Sequence, residues 1–199
     1  MTPFRVLDAV AVPLGESNVD TDQLAPSRFL MRPVFAKLLL HDRRYERDGT
    51  PRGEFVLNDP NYAGAQIIVA GRNFGVGSSR EFAVLALPAA GFRCIIASSF
   101  GDIFASNCYQ NGVLPVVLPE AFIEELLAVL RAWPGLHVTV DLPAQTVHTP
   151  ACGPYAFAIN SARKACLLEG LDDVALTGRY RRAIARFEDT YYRDLPWLA

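Results

Sequence analysis

Three short apolar runs in the middle of the chain constrain its fold more than any other feature. AQIIVAG (65–71), CIIASSF (94–100) and LPVVLP (114–119) have strand length and no polar alternation. That is the pattern of strands buried on both faces. Between the first two lie a glycine-rich stretch, RNFGVGSS, and then REFAVLALPAA, which reads as a helix stopped or kinked around Pro88 and ending near Gly91. Between the second and third lies GDIFASNCYQN, a helix closed by Asn111-Gly112, where glycine suits the left-handed terminal residue. AFIEELLAVLRAW follows the third run as a further helix, with Phe122, Leu126, Leu127 and Leu130 on one side. Strands alternating with helices over short loops require parallel pairing and right-handed crossovers.

The flanks fill out a mixed sheet. Residues 4–12 alternate loosely and read as a strand, and HVTVDLPAQTVHT (137–149) reads as a hairpin turning at Pro143-Ala144. PYAFAIN (154–160) adds a short strand, and helical segments run to the C-terminus, with Thr177 expected to cap the last one. Pro33 suits the first turn of a helix reaching Arg44 with Phe35, Leu38 and Leu39 on one face, and residues 48–60 read as a surface loop. The expectation is one α/β domain with a mixed, largely parallel sheet flanked by helices.

Composition narrows the function. The 199 residues are 51% hydrophobic and 20% charged, enough apolar mass for one sizeable core. A formal charge of −2 leaves no basic footprint for a nucleic-acid backbone. The arginines at 179, 181, 182 and 186 alternate with apolar residues and precede Glu188 and Asp189, the pattern of a solvated helix face. The N-terminal residues lack the features of a signal peptide, and every apolar run is broken far short of a membrane span, so a cytoplasmic protein is expected. Cys94, Cys108, Cys152 and Cys166 show no C-x-x-C, and His41, His137 and His148 lie far apart. No metal or cluster site is expected from this chain alone.

The loop NFGVGSSRE (73–81) joins a buried strand to a helix, so its backbone N–H groups and the helix start face the space beyond the strand end. Gly75 and Gly77 permit close approach or positive φ. Ser78, Ser79 and Arg80 add two hydroxyls and a cation that can hold a carboxylate through paired hydrogen bonds. Ser78-x-x-Glu81 also matches a capping box, which accounts for one serine and the glutamate without any ligand. It leaves Gly75, Gly77, Ser79 and Arg80 unexplained. No Lys follows the glycines as a nucleotide-phosphate loop requires, and Arg80 stands where a dinucleotide fingerprint has its third glycine. A carboxylate fits better than a nucleotide. In VDTDQ (19–23), one at most of Asp20 and Asp22 is expected to enter a site; an Asx-type turn is the alternative.

Taken together, NVDTDQL (18–24), GRNFGVGSSRE (71–81), FVLNDPNYAGAQIIVAGRNFG, GFRCIIASSFGDIFASNCYQNGVLPVVLP and CLLEGLDDVALT resemble the small subunits of the 3-isopropylmalate dehydratases, in the aconitase superfamily, over nearly the whole chain. The resemblance implies a swivel-type β/β/α domain over 1–199, with the C-terminal hairpin and helices from about 135 packed on it. It implies a hydro-lyase that isomerises 2-isopropylmalate and 3-isopropylmalate in leucine synthesis, active only with a large subunit whose cysteines hold a [4Fe–4S] cluster. It makes Ser78 the catalytic base, Arg80 and Ser79 the substrate-binding pair, and Asp22 a member of the active-site network, with Thr21 and Gly77 beside them. Side-chain recognition falls on residues 28–32, with Arg28 and Arg32 the candidates. The loop departs from the family pattern at Val76, usually Cys, and at Phe82, usually polar. Those departures leave open a related substrate of the homoaconitate, citraconate or dimethylmaleate type, or a non-catalytic anion-binding module.

Overall fold

The computed structural model describes residues 1–29, 37–78, 81–195 and 197. Seven strands form one sheet in the order β4-β3-β2-β1-β5-β6-β7. β1 (Val6–Pro13), β2 (Ile67–Val69), β3 (Cys94–Ala97) and β4 (Leu114–Val117) run parallel, each beside the next in sequence. β5 (His137–Asp141), β6 (Thr146–His148) and β7 (Tyr155–Ala156) extend the sheet antiparallel on the other side of β1. The expected mixed α/β sheet is therefore present, hairpin included.

β1 carries both patterns in eight residues. Its first part alternates exposed and buried where it pairs with β5, because one face of the antiparallel half is open. From Ala11 onward it is buried throughout, pairing with β2. In β2, Ile68 points into one core while Ile67 and Val69 point into the other. Each such side chain contributes roughly 1.5–3 kcal/mol of burial.

α3 (Glu81–Ala89) and α4 (Asp102–Gln110) cover the first face through Ala83, Val84, Leu87, Phe104 and Cys108. Pro88 lies inside the last turn of α3, and Gly91 follows with φ +96°. α4 ends as anticipated, with Val113 N–H donating to Cys108 C=O across Gly112 at φ +73°. α5 (Glu120–Ala132) covers the second face with Ile123, Leu126, Leu127 and Leu130. Phe122 sits at the margin of that side, 38% exposed and stacked on the buried Tyr155, and Ile123 joins the buried set.

Other expectations are corrected. The part of the 33–44 helix that falls on 30–36 lies outside the described residues. Beyond it, Leu40 takes φ +52° and interrupts any helix, leaving the single turn α2 (His41–Arg44). Residues 48–60 are not wholly a surface loop: Phe55, Val56 and Leu57 pack on the first core, and Tyr62 just after them is buried. Thr177 ends the short helix α7 (Asp173–Thr177), capped at its start by Asp172; the last helix, α8 (Arg181–Asp194), begins without a side-chain cap. α6 (Ser161–Glu169) packs on the second core through Leu167, whereas α7 and α8 bury no residue.

Candidate functional site

The parallel strands β1, β2 and β3 end at one edge of the sheet, and their following loops continue the pairing. Asn18 N–H donates to Arg72 C=O at 2.9 Å, Gly75 N–H to Val19 C=O at 2.7 Å, and Thr21 N–H to Val76 C=O at 2.9 Å. Asp20 and Val76 form a parallel bridge. On the other side, Phe74 N–H donates to Ser99 C=O and Gly101 N–H to Phe74 C=O, both at 3.0 Å. The glycine-rich loop is thus the middle of three short paired segments, 18–21, 72–78 and 99–101, beyond the C-terminal ends of the strands. That is where ligands bind in open α/β sheets.

Local sequence explains how the loop holds its shape. Asn18 and Asn73 both adopt φ +58°, a region asparagine tolerates, and Asn73 Nδ2 donates to Asn18 Oδ1 at 2.9 Å. Asn73 N–H donates to Ser99 Oγ at 2.8 Å. Gly75 at φ +72° presses on the Phe104 ring, and Gly101 lies against the Gly75 carbonyl.

The segment carrying VDTDQ is a capped turn, not an extended loop. Asp20 is the N-cap of α1 (Thr21–Leu24), its Oδ1 accepting from Gln23 N–H at 2.7 Å. Asp22 Oδ1 accepts from Ser27 N–H at 3.3 Å. Thr21 is 3% exposed, and its hydroxyl donates to Ser78 C=O at 3.0 Å.

Ser78 is exposed and lines an open cleft of about 270 Å³ with Thr21, Gly75, Val76, Gly77, Gly101, Asp102, Ile103 and Phe104. Four of the expected site residues, Ser78, Thr21, Gly77 and Val76, meet there. The uncapped start of α4 flanks the same cleft, with Asp102 in its first turn offsetting the positive end of the helix dipole. Asp102 and the half-exposed Ile103 escaped the sequence reading. Their only signal was position: they follow the end of the strand next to β2. Ser79, Arg80 and Arg32 lie outside the described residues. The described part of α3 starts at Glu81, whose carboxylate accepts from Asn111 Nδ2 at 3.2 Å.

The departures from the family pattern have distinct settings. Val76 borders the cleft, whereas Phe82 is half-buried and packs on the first core. Arg28 does not line the Ser78 cleft. It belongs to a larger opening of about 700 Å³ with Phe29, His41, Asp42, Tyr45 and Arg52. There its guanidinium is bound to Asp42 through two hydrogen bonds, one at 2.7 Å, and this pairing holds the Asp42 carboxyl below its ordinary range. Arg52 in turn pairs with Glu46. Two ion pairs, Arg28–Asp42 and Arg52–Glu46, thus lie within that opening.

The described residues do not fit an iron–sulfur cluster. No group of three or more His, Cys, Asp or Glu among them could hold a metal ion. Cys94 and Cys108 are buried, and desolvation pushes both thiols well above their ordinary range. No described helix is long and apolar enough to cross a membrane.

Comparison with known proteins places the family of the chain. A model of the aconitase C-terminal domain matches residues 1–121, and a second, described as LeuD_N, matches 124–161. The chain is similar to the 3-isopropylmalate dehydratase small subunits of Paramagnetospirillum magneticum and Cereibacter sphaeroides, 45% identical to each over the full length of both chains. The small subunit of Saccharophagus degradans is 42% identical, covering 100% of this chain and 98% of its own. A solved 3-isopropylmalate dehydratase structure from Methanocaldococcus jannaschii shares the fold, with a TM-score of 0.66 at 22% identity, over 91% of this chain and 98% of that one.

Proposed function

Since the chain belongs to the small-subunit family of the 3-isopropylmalate dehydratases, within the aconitase superfamily, we propose that Ser78 is the base of a hydro-lyase site that a second chain completes. The activity is the isomerisation of 2-isopropylmalate and 3-isopropylmalate by loss and return of water, a step of leucine biosynthesis. The observation that carries the role of Ser78 is its exposure in a cleft where three strand-end loops converge on the glycine-rich turn.

In this reading Ser78 removes the proton from the carbon beside a substrate carboxylate. A serine hydroxyl is a weak base, so its oxyanion needs N–H donors, a helix start and a cation close by. Arg80 and Ser79, its immediate neighbours in the chain, are assigned to the carboxylate. Asp22 belongs to the same network, and Gly77 keeps the backbone open to the ligand. Val76 borders the substrate, with Arg28 and Arg32 assigned to recognition further out. The [4Fe–4S] cluster that the family resemblance implies is assigned to the large subunit. Residues 1–199 are read as one swivel-type domain of a cytoplasmic complex, acting on a small dicarboxylate or tricarboxylate and on neither nucleic acid nor membrane.

The test is co-expression with the cluster-bearing large subunit of the same source and an anaerobic absorbance assay of alkene formation. The Ser78→Ala complex is expected to assemble normally and to turn over at least about 100-fold more slowly. Turnover at the unmodified rate would remove Ser78 from the chemistry. Activity confined to another 2-substituted malate would redirect the substrate assignment to Val76 and the 28–32 segment.

A further inference from the structure

We infer that Thr21 is a positioning residue for Ser78, acting through the backbone and not through the substrate; this rests on the reading of Ser78 as the base. The Thr21 hydroxyl hydrogen is committed to the Ser78 carbonyl at 3.0 Å, across 57 residues of sequence, and the residue is 3% exposed. Ser78 follows Gly77, at φ +104°, and is itself exposed. A flexible glycine on the N-terminal side leaves the direction of the Ser78 side chain poorly restrained by its own chain. Gripping its carbonyl limits rotation about Cα–C of Ser78, and so the direction from which Oγ approaches a substrate carbon.

The rest of the clamp does not depend on that hydroxyl. Thr21 N–H still bonds Val76 C=O, Gly75 N–H still bonds Val19 C=O, and Asp20 still caps α1 in any side-chain variant at 21. Thr21→Val keeps the branched shape and removes only the donor. Thr21→Ser keeps the donor and removes a methyl.

The experiment measures kcat and KM of the reconstituted two-chain complex for Thr21→Val, Thr21→Ser and Ser78→Ala, with assembly checked by size-exclusion chromatography. Thr21→Val is expected to lower kcat by about 10- to 100-fold with KM within about twofold of the unmodified complex, because a small misalignment of a reacting group falls on the chemical step. Thr21→Ser is expected to restore kcat to within about threefold. Should Thr21→Val fail to fold, Thr21→Ala carries the same expectation.

Unchanged kcat on loss of the hydroxyl overturns the inference. A raised KM with unchanged kcat also overturns it, since Thr21 would then be a substrate ligand. Equal loss in Thr21→Ser and Thr21→Val does so too, since the methyl would then be the group that matters. If Ser78→Ala keeps full turnover, the reading of Ser78 itself fails, whatever the variants at 21 do. If Ser78→Ala is inactive while Thr21→Val is fully active, only the positioning role falls.

Discussion

Gly75 rests on the face of Phe104 so closely that a Cβ at Gly75 would lie 2.1 Å from the ring's Cγ. The loop that presents Ser78 is therefore seated on the first aromatic residue of α4, and α4 starts from the adjacent strand end. Phe74 and Phe100 complete the cluster, with Phe74 edge-on to Phe104 at 5.6 Å between ring centroids. The shape of the cleft depends on an aromatic platform beneath it.

Gly75→Ala meets two penalties there, φ of +72° and the ring. Left-handed strain of about 1–2 kcal/mol and overpacking of about 1–3 kcal/mol give an expected loss of about 2–5 kcal/mol. Urea unfolding of the isolated chain measures it. In a double-mutant cycle, Gly75→Ala combined with Phe104→Leu is expected to show coupling of at least about 0.5 kcal/mol, since a smaller residue at 104 relieves the second penalty. Strict additivity would show that the loop moves away from the ring at no cost.

How much of this site was legible beforehand depended on which pattern each part leaves. β2, β3 and β4 were plain because burial on both faces leaves a continuous apolar run, and Gly75, Gly77 and Ser78 stood out because that composition is rare between a strand and a helix. The pairing of 18–21 with 72–78 left no trace: an isolated bridge such as Asp20 with Val76 has no period to detect. Asp102 and Ile103 were hidden for a related reason, since they reach the cleft only because β3 lies next to β2. Leu40 at φ +52° was invisible because a leucine rarely adopts that conformation, and nothing in the local sequence marks it.

On the open face of the antiparallel half, Asp8 is held by its cross-strand neighbours. Thr139 Oγ donates to Asp8 Oδ2 at 2.6 Å, and His137 Nδ1 lies 2.5 Å from Oδ1. These two hydrogen bonds, that of Thr139 foremost, pull the Asp8 carboxyl below its ordinary value of 3.8. A depressed folded value means that the stabilisation is complete above 3.8 and is lost as pH falls through the lower folded value. Asp8→Asn is therefore expected to destabilise the chain by less than about 1 kcal/mol at pH 7, since the pair is exposed. The difference from the unmodified chain is expected to hold through the mildly acidic range and to vanish below the ordinary carboxylate range. Denaturant midpoints at a series of pH values measure it; a difference that grows on acidification contradicts the assigned hydrogen bonds.

The C-terminal helix presents the opposite situation, order without burial. Every residue of α8 is exposed, including Ile184, Phe187 and Tyr191, which share one face at 37%, 63% and 38% exposure. A helix of 14 residues with no core contact stands near the limit of what helices sustain alone. Ending the chain after Tyr180 is accordingly expected to change the unfolding free energy of the isolated chain by no more than about 0.5 kcal/mol, the scale of surface substitutions. In the full-length chain, amide exchange over 181–194 is expected to be nearly as fast as in a free peptide, while amides of β2 and β3 exchange only on global unfolding. A truncated chain that loses several kcal/mol, or slow exchange along α8, would mean that this helix packs on the isolated domain in solution. Agreement would leave its apolar face free in the lone chain, with the core complete at α6 and Leu167.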